Sequence, residues 1–380
     1  MIKSIIRVIF KWVPKRNIII FESAPDYADN TRAVFDEMIR RGMNQKYRLY
    51  WKLRYKEAEK LPVFGMKNVY TLTGRGLGII RSKWTRLFAK MFISCNDFQP
   101  RFSDDQYSIF LCHGGALKDC NNDYNAPERI NKILCFSEYL APYDAKNLGA
   151  PVEKMLPLGY PRNDMLFGAK LDLHRLFPDA DFQKCIYWMP TYRQHRNGSE
   201  RGRHSDISMP ILYTTEIAQR INDFAAETGV LLIVKPHPAQ DVSKINALRL
   251  SNLRFIDNDF LDRQGMINYQ LLASVDALIT DYSSVYYDYL LTDKPIGLCW
   301  DDFDSYSEKE GFILDPHEIM AGGEKIYTPE ELCGFIRRVA DGTDILREER
   351  TKLKKQIHLY DDGQSTKRVV DYLEEILNSR

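Results

Sequence analysis

Short apolar runs alternate with helix-spaced segments along the whole chain, and this alternation limits the possible folds more than any other feature. In the first half, residues 18–21, 47–51, 68–72, 92–95, 108–112 and 133–136 form such runs, with helical patterns near 31–41, 76–90 and 139–148. In the second half, runs at 185–189, 230–234, 253–256, 277–279 and 296–299 alternate with helical patterns near 213–227, 265–274, 284–291 and 329–340. Several runs are too continuous for strands with one wet face, so they read as strands covered on both sides. Strand–helix alternation in two blocks predicts an α/β fold of two doubly wound, Rossmann-like domains. At 380 residues the chain also exceeds the usual size of one core. The expected division is an amphipathic segment at 1–16, a first domain at 17–170 and a second at 171–380. The join is placed in the Pro/Gly/polar stretch 157–182. A final helix at 365–378 is expected to cross back onto the first domain.

Composition narrows the class. A hydrophobic share of 44% and a charged share of 28% are globular values, and a net charge of +1 gives no reason to expect nucleic acid. The seven cysteines are scattered and never form CxxC, which points to reduced thiols in a cytosolic protein rather than a disulfide framework or zinc site. Positive charge gathers in the N-terminal quarter. Residues 60–96 hold Lys60, Lys67, Arg75, Arg81, Lys83, Arg86 and Lys90 and no acid. On a helical wheel Ile2, Ile5, Ile6, Val8, Ile9, Phe10, Trp12 and Val13 share one face, while Lys3, Ser4, Arg7 and Lys11 share the other. Such a helix packs on its own domain or lies on a membrane, and the Trp, Phe and basic face favour an anionic lipid surface. The stretch 75–90, with Trp84 and Phe88, either extends that contact or is a solvated face. No apolar run is long enough to span a bilayer, so the expected location is peripheral, on the cytoplasmic face of the cell membrane.

The chemistry-bearing residues gather at strand ends, where ligands bind in doubly wound folds. Thr280 to Tyr289 follows the run 275–279 and opens a helical pattern, so Ser283 and Ser284 read as a helix cap or as hydroxyl donors to a phosphate. Lys235 and His237 follow the run 231–234. Arg193 ends the stretch Pro190-Thr191-Tyr192-Arg193, and a guanidinium suits bidentate phosphate binding. His113-Gly114-Gly115 follows the run 109–112, and its glycines permit close approach to an imidazole able to take a proton at neutral pH. Singly, each cluster reads as structural or surface-exposed. Together they read as a phosphate-handling site. Gly74, Gly76 and Gly78 do not make a dinucleotide fingerprint, and there is no phosphate-binding-loop lysine pattern. The strings Asp257-Asn258-Asp259 and Asp302-Phe303-Asp304 read as turns rather than metal ligands.

These motifs, in this order, resemble the CDP-glycerol glycerophosphotransferases of teichoic-acid and capsule synthesis, with their ribitol-phosphate relatives. The resemblance spans nearly the whole chain. It is carried by Phe21-Glu22-Ser23, Asp29-Asn30, His113-Gly114 with Leu117-Lys118, and Gly159-Tyr160-Pro161-Arg162-Asn163-Asp164. It continues through Pro190 to Arg193, Lys235 to Pro238, Thr280 to Tyr289, Asp362-Gly363-Gln364-Ser365 and Arg368-Val369. The family commonly has Trp-His-Gly-Thr-Pro-Leu-Lys where Cys112, Gly115 and Ala116 depart here. That loop looks like the acceptor side, so the departure bears on the acceptor more than on the chemistry.

The resemblance implies a GT-B-like fold with a cleft between the domains. It also implies transfer of glycerol or ribitol phosphate from a CDP-polyol to a hydroxyl of a lipid-linked acceptor of the undecaprenyl-diphosphate type, releasing CMP. His113 is the implied base. Arg193, Lys235, His237, Ser283 and Ser284 are implied donor-phosphate ligands, supported by Asp281, Gly114 and Gly115. No cofactor or metal is required if cationic side chains stabilise the leaving group, although Mg is compatible. The chain length suits a primase that adds one or a few units. The rival reading is a GT-B glycosyltransferase using a nucleotide sugar.

Overall fold

The computed structural model describes residues 14–54, 57–73, 78–120, 125–191, 209–236, 248 and 250–379. They group into two compact units. The first comprises Met1–Gly115, Cys120–Asp164 and Ile357–Arg380, and the second Ala116–Asp119 and Met165–Gln356.

The first unit is built on strands β1 (Ile18–Glu22), β2 (Arg48–Leu53), β3 (Val69–Thr73), β4 (Met91–Ser94), β5 (Tyr107–Phe110), β6 (Lys132–Cys135) and β7 (Met155–Pro157). The second carries β8 (Lys184–Trp188), β9 (Val230–Val234), β10 (Leu253–Phe255), β11 (Ala277–Thr280), β12 (Ile296–Cys299) and β13 (Glu324–Ile326). Every residue of β1, β4, β5, β9, β11 and β12 is buried, as expected for strands covered by helices on both faces. All pairings among these strands are parallel. The orders are β3-β2-β1-β4-β5-β6-β7 and β10-β9-β8-β11-β12-β13. Counted from its own first strand, each sheet reads 3-2-1-4-5-6, with β7 added to the first. The order reverses between β1 and β4 and between β8 and β11, the positions where such sheets open a crevice for ligands.

Two strands escaped the sequence reading. β7 and β13 are three residues each, and pairing with β6 and β12 makes them strands. The helical pattern at 265–274 resolves to a helix at Asn268–Ser274, preceded by a separate helix at Asn258–Arg263. By contrast, the helix Pro329–Asp341 is bounded by local chemistry. Thr328 and Glu331 form a reciprocal capping box, Pro329 opens the first turn, and Gly342 closes the helix at φ +70°.

The contact units divide the chain differently from the expected break at 170/171. The break falls at 164/165, and residues 357–380 return to the first unit. The last helix, Ser365–Asn378, buries Val369, Val370, Leu373 and Leu377, and this apolar face is covered within the first unit. Its side chains Asp371 and Glu374 accept hydrogen bonds from the Arg41 guanidinium at 2.7 and 2.6 Å. Its first N–H groups, from Ser365 and Thr366, donate to the Asp164 carboxylate at 2.9 and 2.7 Å. Five cysteines (Cys95, Cys112, Cys135, Cys185 and Cys299) are buried. Among the described residues, no helix is long and apolar enough to cross a membrane. The amphipathic pattern at 2–13 lies outside the described residues.

Candidate functional site

Two clusters stand at the carboxyl ends of the two sheets. In the first unit, β5 runs through Leu111 and Cys112 into His113, which is exposed. Nδ1 of His113 lies 3.0 Å from the carbonyl oxygen of Cys95, the residue after β4. A carbonyl only accepts, so Nδ1 carries the proton in this contact and the neutral ring keeps its lone pair on Nε2. That tautomer is the one a proton acceptor needs. Cys112 sits at φ +54°, a left-handed conformation uncommon outside glycine. Burial pushes its thiol well above the ordinary range, so it is a packing group rather than a nucleophile.

The backbone around His113 is held by side chains far away in sequence. Asn30 Nδ2 donates to the carbonyl oxygens of Leu111 (3.1 Å) and Cys112 (2.9 Å). Arg162 Nη1 donates to the His113 carbonyl at 2.7 Å and to both Asp29 carboxylate oxygens at 2.9 Å. The Tyr160 hydroxyl donates to the Gly114 carbonyl at 3.0 Å. These residues belong to motifs recognisable in the sequence, but no role for them was legible there, because their partners lie 46 to 133 positions away. Nearby, Glu22 at the end of β1 is fully buried. It accepts from Arg54 Nη2 at 2.7 Å and from the Asp97 N–H at 3.0 Å. Burial raises the pKa of its carboxyl, with the Asp97 N–H bond opposing the rise.

In the second unit, Asp281 follows β11 and is fully buried. Its carboxylate accepts the Thr191 N–H (2.9 Å), the Thr191 hydroxyl (2.8 Å) and its own neighbour's N–H from Tyr282 (2.6 Å). It therefore ties the turn after β8 to the turn after β11, at the point where the strand order reverses. Ser283 and Ser284 come next and are half-buried. The expected capping role is corrected here. Ser284 occupies the N-cap position of the helix Val285–Leu290 with helical angles and no side-chain cap bond. Ser283 Oγ meets the Val285 N–H only at 3.5 Å, the limit of a hydrogen bond. A helical residue directs its hydroxyl away from the N–H groups ahead of it, which is why the cap does not form.

Lys235 directly follows β9, and its N–H donates to the Trp188 carbonyl at 2.9 Å. Burial holds its amine below the usual lysine range, with the charge of Asp257 acting the other way. Arg193 and His237 lie outside the described residues. Asp257 caps the helix Asn258–Arg263 by accepting the Phe260 N–H at 2.7 Å, and Asp302 accepts the Tyr282 hydroxyl at 3.0 Å. The two acidic strings thus have structural work. Among the described residues no group of three or more His, Cys, Asp or Glu is arranged to hold a metal ion.

Residues 5–375 match the model of the CDP-Glycerol:Poly(glycerophosphate) glycerophosphotransferase family. The chain belongs to this family. Among relatives of this glycerophosphotransferase-family chain is the teichoic acid ribitol-phosphate polymerase TarL of Staphylococcus aureus. It is 22% identical over 95% of this chain and 63% of its own length. The teichoic acid poly(glycerol phosphate) polymerase of Bacillus spizizenii is 24% identical over 98% of this chain and 96% of its own length. The chain spans 56 to 66% of the length of TarL and two further ribitol-phosphate polymerases that it matches. A structure of the wall teichoic acid polymerase TagF superposes with a TM-score of 0.75 at 19% identity, covering 99% of this chain and 94% of that one. The family member therefore has a GT-B-like fold of two Rossmann-like sheets.

Proposed function

We propose that this protein transfers glycerol phosphate, or ribitol phosphate, from a CDP-polyol to a hydroxyl of a lipid-linked acceptor and releases CMP. The observation that carries the reading is the fixed tautomer of His113, whose Nε2 lone pair is available to a substrate hydroxyl. In the reaction, Nε2 takes the acceptor's hydroxyl proton. The acceptor oxygen bonds to the polyol-bearing phosphorus, and the bond from that phosphorus to the CMP oxygen breaks, so CMP departs with the electron pair. Lys235, Ser283 and Ser284, together with Arg193 and His237, would bind the diphosphate and the charge that develops on CMP. Family membership supports this reading, and two of the TagF structures were soaked with CDPG.

An anionic membrane surface is the proposed setting. The helix Gly78–Phe88 leaves Ile80 (55%) and Trp84 (54%) exposed beside exposed Arg81 and Lys83. A helix with apolar and basic side chains facing solvent together suits a lipid interface.

The test is release of CMP from CDP-glycerol and CDP-ribitol with a short lipid-diphosphate acceptor. His113→Ala should cut turnover by about 100- to 10,000-fold, to a small residual rate, while CDP-polyol affinity stays nearly intact. No CMP from either donor across several acceptors would sink the reading. Turnover with UDP-sugars in place of CDP-polyols would instead establish a nucleotide-sugar transferase.

A further inference from the structure

We propose that Asn30, Arg162 and Tyr160 act as positioning residues that set the reach of His113. The inference rests on the reading of His113 as the base. Its observation is that four consecutive carbonyl oxygens, those of Leu111, Cys112, His113 and Gly114, each accept a hydrogen bond from one of these three side chains. Loop carbonyls usually turn to solvent or to other backbone groups. Here the donors are side chains that are themselves buried: Asn30 is 0% exposed, Tyr160 1% and Arg162 4%.

The three are also joined to one another, with the Arg162 guanidinium lying over the Tyr160 ring at 5.4 Å. Asn30 Oδ1 accepts the backbone N–H of Arg162 at 3.0 Å, so one amide side chain clamps the loop and registers the segment that carries Arg162. The guanidinium is oriented by Asp29, whose Oδ1 also accepts the Asn30 N–H at 2.7 Å. Cys112 is held at positive φ inside this frame, with its carbonyl fixed by Asn30. The ring of His113 is then fixed from two directions. Its carbonyl is pinned by Arg162, and its Nδ1 is pinned by the Cys95 carbonyl. With both ends held, Nε2 has one position relative to the sheet. Proton transfer is steeply sensitive to such placement, and about 1 Å of displacement costs about 100-fold in rate.

The experiment compares Tyr160→Phe, Arg162→Lys and Asn30→Ala, each alone and in a His113→Ala background, reading CMP release and CDP-glycerol binding. Tyr160→Phe keeps the ring that packs on Phe136 at 4.0 Å and removes only the donor to Gly114, so it is the variant safest for folding. We expect kcat to fall about 10-fold for Tyr160→Phe and about 100-fold for Asn30→Ala, with the CDP-glycerol Kd within about twofold of the parent. In the His113→Ala background none of the three should lower the residual rate further, because each acts through the histidine. Unchanged kcat in a folded Tyr160→Phe and Arg162→Lys, while His113→Ala falls to its residual rate, overturns the positioning role alone. An equal further loss in the His113→Ala background shows general destabilisation and overturns it too. Full turnover by His113→Ala overturns the base assignment itself, and the positioning role with it.

Discussion

Ser284 sits where a helix cap would be, yet its hydroxyl is not spent there. Ser284→Ala should therefore change stability by less than about 0.5 kcal/mol, well below the ~1 kcal/mol typical of a lost cap. The same change should weaken CDP-glycerol binding measurably in a titration. A loss of stability without a loss of affinity would return the serine to a structural role. Lys235 makes a second prediction. Burial lowers its folded pKa below the unfolded value of about 10.4, so the unfolded chain keeps its proton to higher pH. As pH rises through the folded pKa, the buried charge is lost, and stability rises rather than falls in that window. Donor affinity should move in the opposite direction, because the neutral amine no longer attracts phosphate. Binding measured from about pH 7 to about pH 10 should weaken earlier than an ordinary lysine allows, and Lys235→Arg should flatten the profile.

Elements of this chain differ in how locally they are specified. The helix Pro329–Asp341 has its start and stop written in neighbouring residues, Thr328, Glu331 and Gly342. Thr328→Ala should cost about 1 kcal/mol in urea unfolding, since Tyr327 and Thr328 N–H groups still find Glu331 at 2.6 and 3.1 Å. β12 is tighter. A Cβ on Gly297 would lie 2.9 Å from Ile326 Cδ1, 3.2 Å from Phe335 and 3.3 Å from Ile279. Gly297→Val should destabilise by about 1–3 kcal/mol through overpacking, read as a lower unfolding midpoint with unchanged slope. The central strands were legible because a strand buried on both faces needs a continuous apolar run. β7 and β13 were not legible: three-residue strands next to turns and helices carry too little pattern of their own, and their pairing with β6 and β12 is what defines them.

At the scale of the whole molecule, one strand order is used twice, and each sheet carries its polar residues at the carboxyl ends of its strands. The same molecule exposes a basic, apolar helix on its first unit. In a vesicle flotation assay the protein should float with anionic vesicles. Ile80→Asp with Trp84→Asp should reduce that fraction several-fold, with CMP release from a soluble acceptor unchanged. Unchanged flotation would assign that face to solvent.

The sequence by itself determined the α/β class, the positions of most buried strands and the polar clusters at their ends. These are local facts: a run of Ile, Val and Leu, or a Ser-Ser pair after it, stands in adjacent residues. Tertiary structure alone decided which nitrogen of His113 carries the proton, what holds its loop, that Ser284 leaves its hydroxyl uncapped, and that the last helix belongs to the first unit. Those outcomes depend on hydrogen bonds and apolar faces meeting across scores to hundreds of residues, as Arg162 does with Asp29 and Asp164 with Ser365. No pattern in neighbouring residues encodes such meetings.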